Sequence, residues 1–134
     1  MLSQLTDPQF SIKILSAIFL AVLFLQSGID KLIDWKGNLS WLTGHFAKSP
    51  LGSVVPLMLG TITLVELLAG ILSAVGVIML IFYNDPAFAL LGAQISALGI
   101  VMLFFGQRIA KDYAGAATLV PYFILCLLAI YMYM

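Results

Sequence analysis

Residues 61–72 read TITLVELLAGIL. All but one of these residues suit a helix dissolved in lipid. The exception is Glu66, an acid near the centre of a long apolar run. A carboxyl in such a place must be protonated or must face protein and find a partner, because a bare charge in hydrocarbon costs several kcal/mol. The spacing favours the second course. Thr63, Glu66, Gly70 and Ser73 fall on one stripe of a helix. That stripe is small and polar, so it is expected to face other helices. Two roles for Glu66 stay open: a hydrogen bond that holds a bundle in register, and a proton acceptor or anchor for a ligand headgroup.

The rest of the chain agrees with a lipid solvent. Of 134 residues, 63% are hydrophobic and 9% charged, and the mean hydropathy is +1.13. A soluble domain of this size would need far more charge on its surface. One domain spanning residues 1–134 is expected, in contact with the lipid bilayer. Six basic and six acidic residues leave no net charge, so nucleic acid is not indicated as a partner. Cys126 stands alone, which excludes an intrachain disulfide and a Cys-x-x-Cys relay. His45 is the one histidine, too few for a His-rich metal site or bis-histidine haem. No metal, no covalently attached cofactor, and no phosphate-loop, zinc-hydrolase or nucleophile motif is expected. The start MLSQLTDPQF has no basic segment ahead of the apolar run and no small-residue cleavage site after it, so that run is read as a retained span.

A helix needs about 20 apolar residues to cross the hydrocarbon core. Four such runs occur, at about 12–33, 54–82, 86–106 and 116–133. They predict an all-α, antiparallel four-helix membrane bundle. Between the first two lies DWKGNLSWLTGHFAKSP, residues 34–50, with Leu39, Leu42 and Phe46 at helical spacing beside Trp35 and Trp41. This predicts a short interfacial helix. Asn84-Asp85-Pro86 signals a turn, and residues 107–115 a polar connection. Alternating spans put residues 34–50 and 107–115 on one side, with five of the six basic residues on or near it. The positive-inside rule makes that side cytoplasmic and places both termini outside.

Polar residues gather toward the same side. Gln26 and Asp30 share a helix face, as do Ser27 and Lys31. Arg108, Lys111 and Asp112 follow the third span. Arg108 returns to within ~40° of the face of Gln94, so both are expected to look into one cavity. Asp112 and Tyr113 also fit an ordinary turn, His45 an interfacial polar position, and the final YMYM an interfacial anchor. Gly70–Ala74, Ala69–Ser73 and Gly92–Ser96 are small pairs that allow close helix contact.

Three segments resemble the DoxX family of small four-span membrane proteins: FLQSGIDKLIDWKG (24–37), VELLAGILSAVG (65–76) and GQRIAKDYAGAA (106–117). With the span count, the resemblance covers nearly the whole chain. By position, the matching residues are Ser27, Gly28, Lys31, Glu66, Gly70, Arg108 and Asp112. The family's name comes from a subunit of a thiosulfate:quinone oxidoreductase. The resemblance therefore implies a component of a bacterial inner membrane that works near the quinone pool. The expected ligand is a quinone or lipid-like amphiphile. Its tail would meet Phe24, Leu67 and Ile95, and its head Gln26, Ser27, Lys31, Gln94, Arg108 and Asp112. Glu66 would be the proton acceptor. The chain shows no convincing haem, flavin or iron–sulfur ligand set, so electrons would come from a protein partner or directly from substrate. Two other classes stay open: a scaffold or assembly factor, acting with a partner or as a homo-oligomer, and a transporter of protons or small anions.

Overall fold

A computed structural model describes residues 6–134. The described chain is helical, with four long apolar helices packed antiparallel. Helix α1 is Pro8–Ile33, α2 Trp35–His45, α3 Val55–Tyr83, α4 Ala87–Ile109, α5 Tyr113–Ala117 and α6 Val120–Tyr133, with a 3₁₀ turn at Gly52–Val54 before α3. In space α1 packs on α3, α3 on α4, α4 on α6, and α6 closes the ring on α1. The segments Pro8–Ile33, Gly52–Tyr83, Ala87–Ile109 and Tyr113–Tyr133 are each long and apolar enough to cross a membrane.

The boundaries follow local chemistry. Asp7 caps α1, its carboxylate accepting from the Gln9 amide at 3.3 Å, and Pro8 starts the helix where no amide donor is needed. The first span therefore begins earlier than its apolar run. Asn84 ends α3 in the left-handed conformation (φ 49°), and the Asp85 carboxylate then accepts from the Ala87 amide at 3.0 Å. The expected turn is in place. Helix α4 runs through Gln107 and Arg108 to Ile109, further than its apolar run. Lys111 (φ 63°) turns the chain, and Asp112 caps α5 through a 2.9 Å bond from the Gly115 amide.

Association in lipid gains little from apolar burial, because acyl chains are as apolar as leucine. Close approach must replace it. A methyl placed on Gly70 would lie 2.7 Å from the backbone nitrogen of Leu25, and one on Gly92 would lie 2.8 Å from that of Ser73. Both are shorter than any real contact, so the main chains nearly touch. The stripe anticipated from the sequence is buried as a whole: Thr63, Glu66, Gly70 and Ser73. Large apolar side chains such as Leu15, Val22, Leu64 and Phe82 point outward instead.

The glycine contacts also fix the register. Leu25 lies across from Gly70 and Gly28 from Leu67, so α1 ends at about the level of Ile62. Helix α3 begins at Val55 and overshoots α1 by roughly two turns, about 10 Å at ~1.5 Å per residue. Glu66 falls level with Ile29 and Gly99, about one turn inside the end of α1. It is thus nearer the rim than its central place in an apolar run suggests. The sequence counts position along one helix, whereas depth depends on where the neighbouring helices stop.

Gly92→Ala is expected to lower stability by about 1–3 kcal/mol through overpacking. Gly44→Ala, where an added methyl meets nothing within 4 Å, is expected to be neutral or slightly stabilising. Thermal unfolding in detergent checks both.

Candidate functional site

The overshoot of α3 leaves a gap that α2 covers only in part. Under α2 lies a groove of about 520 Å³. Its walls come from Leu57, Met58 and Ile62 of α3 and from Met102, Leu103 and Phe105 of α4. Lys31, Asn38, Trp41, Thr61 and Gln107 also line it. The volume falls within the ~300–1,000 Å³ usual for small-molecule sites.

Lys31 stands at the inner end. Its position in the last turn of α1 lets a long side chain reach down along that helix. The ammonium donates to Ser27 Oγ at 2.8 Å and to Glu66 Oε2 at 3.2 Å. It also lies 3.2 Å from Glu66 Oε1. The Lys31 side chain is 16% exposed and that of Glu66 1%. Glu66 is therefore sealed inside protein while its partner touches the groove. Glu66 Oε1 has no hydrogen-bond donor of its own; the ammonium's charge alone faces it. Thr63 and Ser96 turn their hydroxyls to carbonyls of their own helices, at 2.6 and 2.7 Å, and so leave Glu66 to Lys31.

Helix α2 is capped at its start and fastened to α4 at its far end. Asp34 caps its start, accepting from the Gly37 amide at 3.2 Å. At its far end Phe46 is buried beside Gly106. Next to it, His45 Nε2 lies 2.7 Å from Gln107 Oε1 and 3.7 Å from Asp112 Oδ2. An amide oxygen only accepts, so Nε2 carries the donated proton. Trp41 stacks on the imidazole, with ring centroids 4.6 Å apart and planes at 16°. The sequence offers His45 only as an interfacial polar residue; here it joins α2 to the end of α4.

The predicted site residues divide. Ser27, Lys31 and Glu66, from two helices, meet. Asp112 caps α5 and approaches His45, outside the groove. Gln26 is exposed on the outer face of α1, because Ser27 and Lys31 take the inward face. Gln94 is exposed and lies deeper than the groove, so it shares no cavity with Arg108. Arg108 is itself exposed, with its guanidinium 4.5 Å from the centre of the Tyr113 ring. One step along α4, Gln107 enters the groove in its place. Phe24 is buried in the core, and neither Leu67 nor Ile95 lines the groove. The apolar lining of the groove includes Leu57, Met58, Leu103 and Phe105 instead. Among the described residues no cluster of three or more His, Cys, Asp or Glu that could hold a metal occurs.

Removing one member of a buried pair leaves the other uncompensated. Glu66→Ala is expected to destabilise toward the lower end of ~3–5 kcal/mol, because Lys31 retains some contact with the groove. Lys31→Met together with Glu66→Leu should recover most of that loss. Unfolding midpoints in detergent check this; a double variant no more stable than Glu66→Ala would contradict it.

No family model, no curated protein and no solved structure matches the chain, so the geometry of this end of the bundle carries the functional reading.

Proposed function

We propose that the chain is an integral membrane protein of the DoxX type that binds a quinone or similar amphiphile in the groove beneath α2, as the membrane subunit of a redox system. The observation that carries this reading is the position of Lys31. A single ammonium, backed by a buried acid, stands at the inner end of an otherwise uncharged and largely apolar groove. A ring carbonyl would accept a hydrogen bond from that ammonium. The tail would lie along Leu57, Met58, Leu103 and Phe105 and leave the groove toward lipid. Reduction of a quinone takes up two electrons and two protons. Electrons would arrive from a partner protein or from substrate. The Lys31 ammonium would give one proton to the ring oxygen it touches, and the second would come from water at the open side of the groove. In quinol oxidation Glu66 would accept one proton through Lys31, and the other would leave to that water. In this reading α2 lies in the interface on the cytoplasmic side of a bacterial inner membrane, where Trp35 and Trp41 suit the headgroup depth, and both termini lie outside.

A second reading, a non-enzymatic scaffold, draws on α6. The apolar stretch of Tyr113–Tyr133 is 17% buried, against 39% for that of Pro8–Ile33. A wide apolar face therefore stays free for lipid, a second copy of the chain or a partner.

Gentle purification followed by organic extraction is expected to release quinone in near one-to-one amount. Thr61→Trp, which fills the groove, should reduce it about tenfold or more. Glu66→Gln should abolish quinone-linked turnover in a protein that still folds; normal turnover removes Glu66 from the mechanism. A defined partner recovered without quinone supports the scaffold.

A further inference from the structure

The charge arrangement at the inner end of the groove says more about the ligand than its volume does. Lys31 is the one charged residue lining the groove among the described residues. Arg108 and Lys111, which would attract an anion to this end of the bundle, are exposed and outside it. Glu66 meets the ammonium with both oxygens at 3.2 Å and is closed off behind it. The pair brings a net charge of zero to the groove. An ammonium has three donors. Ser27 takes one and Glu66 another, which leaves one for a ligand.

We propose that Glu66 sets the charge selectivity of the site: by neutralising Lys31 it makes the groove accept an uncharged, carbonyl-bearing head and reject anionic phospholipid. This rests on the reading of the groove as an amphiphile site and narrows its ligand class. A carbonyl oxygen needs one hydrogen bond, and the third N–H supplies it. A phosphodiester brings a full charge into a space walled mainly by apolar side chains, where losing its water is costly. The ammonium's attraction would repay that loss, but the Glu66 carboxylate beside it cancels most of it. A bilayer rich in anionic lipid would therefore leave the groove free for a neutral ligand present in much smaller amount.

Trp41 supplies the readout, because it lines the groove and a bound quinone quenches indole fluorescence. Purified protein is titrated with a short-tailed benzoquinone and then with dilauroyl phosphatidylglycerol as competitor. Direct retention of the same phosphatidylglycerol is measured by native mass spectrometry. Wild type is expected to show saturable quenching that phosphatidylglycerol does not reverse. Glu66→Gln, which leaves Lys31 unbalanced, is expected to gain phosphatidylglycerol affinity about tenfold or more relative to quinone. Lys31→Gln with Glu66→Gln is neutral again and should reject the anion as wild type does, whether or not the single variant folds. Displacement of quinone by phosphatidylglycerol in wild type, or an unchanged preference in folded Glu66→Gln, overturns the proposal and leaves the amphiphile site standing. So does a gain of anion affinity in the double variant. No saturable binding of either probe to wild type removes the site itself, and the proposal with it.

Discussion

The contact between Lys31 and Glu66 governs this end of the bundle. A carboxylate with 1% side-chain exposure is tolerable only beside a matching cation, and the cation must come from another helix. Lys31 reaches it from the last turn of α1, which ties that helix to α3 at one register. The same register places Gly28 against Leu67 and Gly70 against Leu25. Electrostatics and steric fit therefore select one alignment together. The glycine contacts fix that alignment, and the ion pair is compatible with it and adds to it.

That alignment is also what opens the groove. Since α1 ends level with Ile62, the first two turns of α3 lose their neighbour on that side. After the break at Asp34, α2 covers part of the gap rather than continuing α1. Its two ends are held differently. Buried Phe46 and the 2.7 Å contact between His45 and Gln107 hold its far end to α4. The Asp34 cap at its start is a bond within the helix's own first turn and ties it to no other element. One wall of the groove is thus set by α2, and its inner end by α1 and α3.

The sequence displayed the four long helices clearly, because apolar runs of that length have few other uses. It also singled out Ser27, Lys31 and Glu66 one by one, without showing that Lys31 is the partner of Glu66. Ser27 and Lys31 sit one turn apart, and a lone acid in an apolar run needs a partner. What it concealed was position relative to other helices. Gln94 and Arg108 do share a helical face, but in lipid a polar side chain is no guide to which face is inward until the neighbours are placed. One residue along a helix is a rotation of about 100°, and that separates exposed Arg108 from Gln107 in the groove. The groove itself was illegible for the same reason. It is the difference between the ends of two helices, and no stretch of one helix records it.

The pair can be weighed against the cheapest alternative. Leucine in place of Glu66 and methionine in place of Lys31 would pack without charge, and buried ion pairs rarely stabilise more than such replacements. Stability alone thus gives little reason to keep an acid at this depth. Register is a better reason, yet Gly28, Gly70 and Gly92 already press the backbones together. The partly open lysine keeps some of its hydration, which lowers the cost of holding the pair together. What the arrangement leaves is an ammonium balanced from behind and facing a largely apolar groove, and the proposed ligand site rests on that feature.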